Sequence, residues 1–125
     1  ILKFDENGNK IWSRQGGTDT EDIAYDVAKD SFDNIYIAGK TCSSLNNNNF
    51  KGTCDYFLVK YNSSGTIQWT KQGGTSLEDI AKGVDIDSLD NIYLTGYTYG
   101  SIDGNKNQGG TDYFLIKYNT EGFKQ

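Results

Sequence analysis

The chain has no proline, no histidine and no methionine, and only two cysteines among its 125 residues. Missing histidine removes the commonest general base near neutral pH. It also disfavours zinc, because two cysteines alone do not complete a tetrahedral site. No apolar run approaches the roughly 18 residues that a membrane-spanning helix needs, which argues against membrane insertion. No signal-peptide pattern is visible. Without methionine the chain does not begin at its own initiator, so it is expected to be a segment of a longer or processed protein. Basic residues are few and scattered: 12 lysines and arginines stand against 17 acids, giving a net charge of −5 and a pI near 4.5. A nucleic-acid partner is thereby disfavoured, since phosphate contact needs clustered positive charge.

What is present is aromatic and periodic. Hydrophobic residues make up only 35 %, yet aromatics reach 14 %, a mix suited to many short strands rather than a helical bundle. The 15 glycines recur mostly at equivalent places, so the polar average does not signify disorder. An offset of 57 positions superposes the chain on itself without a gap, placing Trp12 on Trp69 and Lys3 on Lys60 and Lys117. The same offset aligns Gln15-Gly16-Gly17-Thr18 with Gln72-Gly73-Gly74-Thr75, and Asp33-Asn34-Ile35-Tyr36 with Asp90-Asn91-Ile92-Tyr93. A period of this size signals units that bury their apolar faces against one another.

One unit reads as four strands. Tyr56–Tyr61 is followed by the turn Asn62-Ser63-Ser64-Gly65, with glycine at the left-handed position. Thr66–Lys71, Ala81–Asp87 and Ile92–Gly96 are the next three strands, and Glu78–Lys82 has room for one helical turn. A long polar loop over Tyr97–Thr111 leads to the next Asp-Tyr-Phe. The expected fold class is all-β: propeller blades, each a four-stranded antiparallel meander, two blades plus one extra strand. The expected division is 1–54 (a first blade with an incomplete first strand), 55–111 (a second blade) and 112–125 (the first strand of a third). Two blades cannot close a ring. The expected partners are therefore other blades of the same chain, or further copies that assemble into a ring.

Gly-Gly-Thr, Glu-Asp-Ile-Ala, Asp-Ser, Asp-Asn-Ile-Tyr and Asp-Tyr-Phe-Leu-(Val/Ile)-Lys-Tyr-Asn-x-x-Gly occur in this order in both copies. In this the chain resembles the bacterial seven-bladed β-propeller repeat family, SBBP, over nearly its whole length. It departs from the usual pattern at Asp33 and Asp90, where the family commonly has glycine. The resemblance implies a secreted or surface-displayed protein, extracellular or on the bacterial cell surface. It carries over no catalytic site.

Several residues are candidates for a site. Cys42 and Cys54 flank one return loop, and their counterparts Tyr99 and Thr111 are not cysteines. They read as a disulfide worth roughly 2–3 kcal/mol, or else as free thiols in a reducing compartment. Asp103, Asn105, Asn107 and Asp112 have the alternating oxygen ligands that Ca²⁺ uses, but lack the closing glutamate, and a plain polar loop is the competing reading. No other cofactor is expected. Asp22 and Asp79 are expected to fix their loops by accepting backbone N–H bonds rather than to act as acids or bases. Asp30, Asn34, Asp87 and Asn91 are expected to shape tight turns. The three repeated lysines should pair with acids such as Asp30 and Asp87 or reach solvent. Trp12 and Trp69 read as packing between blades, whereas Tyr97 and Tyr99, with Asp103, Asn105 and Asn107, are the candidate ligand contacts. The functional expectation is a non-enzymatic scaffold or adhesion module. The alternative is a carbohydrate-binding module, with or without calcium; the identity of a protein or glycan partner is not legible.

Overall fold

A computed structural model describes residues 1–125. It has nine strands and no α-helix: β1 (Leu2–Phe4), β2 (Lys10–Ser13), β3 (Asp22–Lys29), β4 (Ile35–Thr41), β5 (Asp55–Tyr61), β6 (Ile67–Gly73), β7 (Asp79–Ile86), β8 (Ile92–Thr98) and β9 (Asp112–Tyr118). All pairings between strands are antiparallel. They form a two-stranded sheet β1–β2, a four-stranded meander β3–β4–β5–β6 and a three-stranded sheet β7–β8–β9. The fold is all-β and built of propeller-blade units, and nine strands equal two four-stranded units plus one.

The sheets are cut differently from the sequence division at 54/55 and 111/112. The complete sheet runs from Asp22 to Gly73 and therefore crosses the first of those boundaries. The long return loops join neighbours within a sheet, β4 to β5 and β8 to β9. The loops after Ser13 and after Gly73 are the ones that pass from sheet to sheet. Glu78–Lys82 is extended rather than helical. Asp79, Ile80 and Ala81 pair with Thr98, Tyr97 and Gly96, which supply the inter-strand bonds that a lone helical turn would lack. Register shifts between Ala24 and Asp26, and between Ala81 and Gly83, put bulges at the equivalent residues Tyr25 and Lys82.

The core follows from strand alternation. On β5, Tyr56 and Leu58 enter the larger cluster, which continues through Leu94, Phe114 and Ile116 of the next sheet. Phe57, Val59 and Tyr61 point the other way and pack with Ile35 and Leu45 beneath β1–β2. A strand covered on both faces explains the nearly unbroken apolar run Asp-Tyr-Phe-Leu-Val-Lys-Tyr.

The junctions repeat. Trp12 Nε1 and Lys3 Nζ donate to Ser63 O at 3.1 and 3.2 Å, while Trp69 Nε1 and Lys60 Nζ donate to Thr120 O at 3.3 and 3.1 Å. Gly65 and Gly122, both at φ +79°, press against these tryptophans, and a Cβ at either would come 3.1 Å from the indole. Each tryptophan thus holds the next hairpin turn, so both serve as packing between repeats. Lys60 also lies 3.9 Å from Asp30, the kind of acid partner expected for it.

Candidate interaction face

The meander sends its connections to two opposite ends. One end carries the tight turns. There Asp30 Oδ1 accepts the Phe32 and Asn34 amides at 2.9 and 2.8 Å, and Oδ2 accepts Asn34 Nδ2 and the Tyr36 hydroxyl at 2.8 and 2.9 Å. Asp87 repeats this with Leu89, Asn91 and Tyr93. Burial opposes the charge on Asp30, but the bonds from Asn34, Tyr36 and Phe32 outweigh it and hold its pKa below the usual carboxylate range. The Asn91 amide and backbone hold Asp87 down at about 2. Asp33 and Asp90 have φ of 62° and 61°, a left-handed conformation that suits the glycine common at this position in similar repeats. These groups shape turns.

The other end gathers the loops. Residues 14–21 and 74–78 enter β3 and β7, and the return loops cover residues 42–54 and 99–111. The loops lean on one another. Gln72 is the central tie: its Oε1 accepts the Leu45 amide at 2.8 Å, and its Nε2 donates to Ser43 O at 3.0 Å and to Asp55 Oδ2 at 2.9 Å. The Asp79 amide donates to Cys54 O at 2.9 Å, and Gly100 packs so close to Thr75 that a Cβ has no room. Cys42 and Cys54 are joined as a disulfide that closes the first return loop.

Carboxylates anchor this end, Asp79 and Asp55 buried and Asp22 partly exposed. Asp79, fully buried, accepts the Thr75 amide at 2.5 Å, the Thr75 hydroxyl at 3.0 Å and the Thr98 hydroxyl. Asp22 accepts the Thr18 amide and hydroxyl at 2.6 and 2.8 Å. Asp55 is equally buried, and its Oδ1 has no partner. Desolvation raises its pKa, and Asp79 adds to the effect. Lys40 ties successive repeats, with its ammonium 2.5 Å from Glu21 and 3.7 Å from Glu78, which are equivalent residues.

Two SBBP segments match the beta-propeller repeat model, at residues 11–51 and 68–103, and cover more than half of the chain. The chain belongs to the SBBP beta-propeller repeat family. These SBBP repeats are similar along 96 % of the chain to an uncharacterized WD repeat-containing protein, L264, of Acanthamoeba polyphaga mimivirus, at 29 % identity and covering 10 % of that protein. Along 98 % they are similar to the regulatory protein FlaEY of Caulobacter vibrioides, at 26 % identity and covering 14 % of it. The chain therefore spans between a tenth and a seventh of the length of these curated relatives.

The remaining candidates divide. Tyr97 and Tyr99 are brought together edge to face at 6.1 Å, with Tyr99 exposed, and Lys82 lies 5.9 Å from the Tyr97 ring. Asp103 turns to Lys124 at 2.6 Å. Asp112 accepts the Gln108 amide at 2.6 Å, Asn107 accepts the Gly109 amide at 2.8 Å, and Asn105 donates to Ile102 O at 3.1 Å. Each of these four side chains is spent inside its own loop or on a lysine. No group of three or more carboxylate, cysteine or histidine ligands converges anywhere in the structure. The sequence reading missed Gln72, Lys40 and Tyr56. Gln72 lay inside the repeated Gln-Gly-Gly-Thr motif, which is the one signal that pointed to it.

Proposed function

We propose that this SBBP chain is a non-enzymatic scaffold of a secreted or surface-displayed protein, and that its loop end is the surface that contacts a partner. One observation carries this reading. The two return loops differ at most positions, sharing only Ser44/Ser101, Asn48/Asn105 and Gly52/Gly109, yet are pinned to the same frame by the repeat-equivalent carboxylates Asp55 and Asp112 and by backbone bonds. A rigid frame with variable loops is the usual architecture of a binding surface. The name of the mimiviral relative, a WD repeat-containing protein, is compatible with a repeat scaffold. An oxidised Cys42–Cys54 pair suits an extracellular or cell-surface setting. The flanks of the sheets are to be covered by other repeats of the parent chain.

The test is adhesion of the purified chain to cells and to immobilised surface proteins of the source organism and its neighbours. Replacing residues 99–111 with a Gly/Ser linker of equal length should reduce binding at least tenfold, while Phe32→Ser and Leu89→Ser at the opposite end should not. Equal losses at both ends would refute the assignment of the face. Thiol labelling of the protein in whole cells checks the compartment, since free Cys42 and Cys54 would contradict it.

The Tyr97–Tyr99 pair, with Tyr97 half-buried and Tyr99 exposed, favours a second reading, carbohydrate binding by aromatic stacking. Glycan-array binding that is lost on Tyr97→Ala, with the fold intact, would replace the first reading with this one.

A further inference from the structure

Two acids lie side by side under the loop end. Asp55 opens β5 in one repeat, Asp79 opens β7 in the next, and neither has any surface exposed. They are used differently. Both oxygens of Asp79 accept: Oδ2 takes the Thr75 amide at 2.5 Å and the Thr75 hydroxyl at 3.0 Å, and Oδ1 takes the Thr98 hydroxyl. Asp55 Oδ2 accepts the Lys51 amide and Gln72 Nε2, both at 2.9 Å. Asp55 Oδ1 accepts nothing, although it is buried. It borders the same point as its neighbour, because a Cβ at Gly74 would come 2.9 Å from Asp55 Oδ1 and 2.6 Å from Asp79 Oδ2. An unpaired anionic oxygen beside a second carboxylate, away from water, is costly. A proton on it removes both the buried charge and the repulsion.

We propose that Asp55 is a proton-operated latch: the loop end is closed while Asp55 Oδ1 carries a proton, and loosens when that proton passes to solvent. The proton belongs on this atom because it alone of the four carboxyl oxygens has no donor. Burial raises the Asp55 pKa against the bonds from Gln72 and Lys51, and Asp79 raises it further. The other groups around the pair do not replace the proton. Lys51, in the return loop, favours the charged form but is exposed. β6 and β8 present the neutral Gln72 and Thr98. Glu78, next to Asp79, lies 3.7 Å from Lys40, and Asp103 of the second return loop is bonded to Lys124. Tyr56, next on β5, stays neutral, its pKa pushed up to about 12 by burial. The latch is connected to what it would release. Asp55 holds Lys51 and Gln72, and Gln72 holds Ser43 and Leu45, so the acid sits where the disulfide-closed loop meets the 74–78 loop. Its stabilisation is complete below the unfolded value of 3.8 and is lost as pH rises through the raised folded value. As regulation of the contact surface the latch rests on the reading above; as a property of the fold it does not.

The test is Asp55→Asn in the full chain. The amide keeps an oxygen for Lys51 and Gln72 and sets an NH₂ group where Oδ1 was, so it imitates the protonated acid. The variant should melt with the original chain at about pH 3.5 and about 4 °C above it at pH 8. In the original chain the Asp55 carboxyl ¹³C signal should titrate with a midpoint above 3.8. The Leu45, Lys51 and Thr75 amide signals should move with that same midpoint, and should hold still in the variant. A variant that melts below the original chain at pH 8 would overturn the proposal, since Asp55 would then be a plain acceptor carboxylate. So would an Asp55 midpoint at or below 3.8, which is read on the original chain whether or not the variant folds. Calcium chloride that raises the melting temperature of the original chain at pH 8, but not that of the variant, would assign Oδ1 to a cation and overturn it as well. None of these readouts involves binding, so a failed adhesion assay leaves the latch standing and a failed latch leaves the adhesion assay untouched.

Discussion

Replacing Asp79 measures how the loop end is held. The carboxylate is fully buried and accepts three donors: the Thr75 amide, the Thr75 hydroxyl and the Thr98 hydroxyl. Asp79→Ala orphans all three, but not equally. The Thr98 hydroxyl already reaches Gly100 O at 3.2 Å and loses little. The Thr75 hydroxyl can rotate. The Thr75 amide cannot, and a buried unsatisfied donor costs about 1–3 kcal/mol. Adding the lost hydroxyl bonds, and allowing for relief of a desolvated charge beside Asp55, gives about 3 kcal/mol of destabilisation. Asp22→Ala should cost only about 1–2 kcal/mol, because Asp22 is partly exposed and holds only Thr18. Urea unfolding followed by Trp12 and Trp69 fluorescence gives both numbers. Amide exchange at Thr75 should quicken in the Asp79 variant before global unfolding. A cost below 1 kcal/mol for Asp79→Ala, or a larger cost for Asp22→Ala, would refute the anchoring argument.

Two further outcomes follow from the same contacts. Replacing both Cys42 and Cys54 by serine should lower stability by about 3 kcal/mol, as expected for freeing a loop of this length, and a reducing agent should then have no added effect in denaturant titration. Because hydrogen bonds lower the folded pKa of Asp87 to about 2, its contribution to stability is complete above the unfolded value of 3.8 and disappears as pH falls through the folded value. Asp87→Asn should therefore flatten the loss of melting temperature between pH 4 and pH 2. Asp55 acts in the opposite sense. Its folded pKa is raised, so its contribution is present at low pH and is lost as pH rises through that folded value.

Much of the fold was legible. Tyr56–Tyr61 and Ile92–Gly96 lie within β5 and β8, and Asn62–Gly65 turns with Gly65 at φ +79°, because alternation and turn chemistry are local properties. The role of Trp69 was also within reach, since a tryptophan repeated on a strand beside a repeated glycine turn suggests a contact between units. The candidate face was less so. Lys40 was visible only as the odd counterpart of Tyr97, and nothing nearby in sequence announces that Glu21 and Glu78, one period apart, converge on it. Gln72 bonds Ser43 and Leu45 across 29 and 27 positions, a distance at which residue type carries no signal.

By itself the sequence determined that there are repeated antiparallel strands, where their tight turns fall, and which side chains recur at each junction. Each of these follows from local backbone preference or from the period. Only the tertiary structure decided where one sheet ends and the next begins. A repeat looks the same wherever it is cut, and loop length misleads here. The long loops stay within a sheet. The short Gly74–Glu78 connection crosses between sheets, because Asp79 and the Cys54 carbonyl pin it to both.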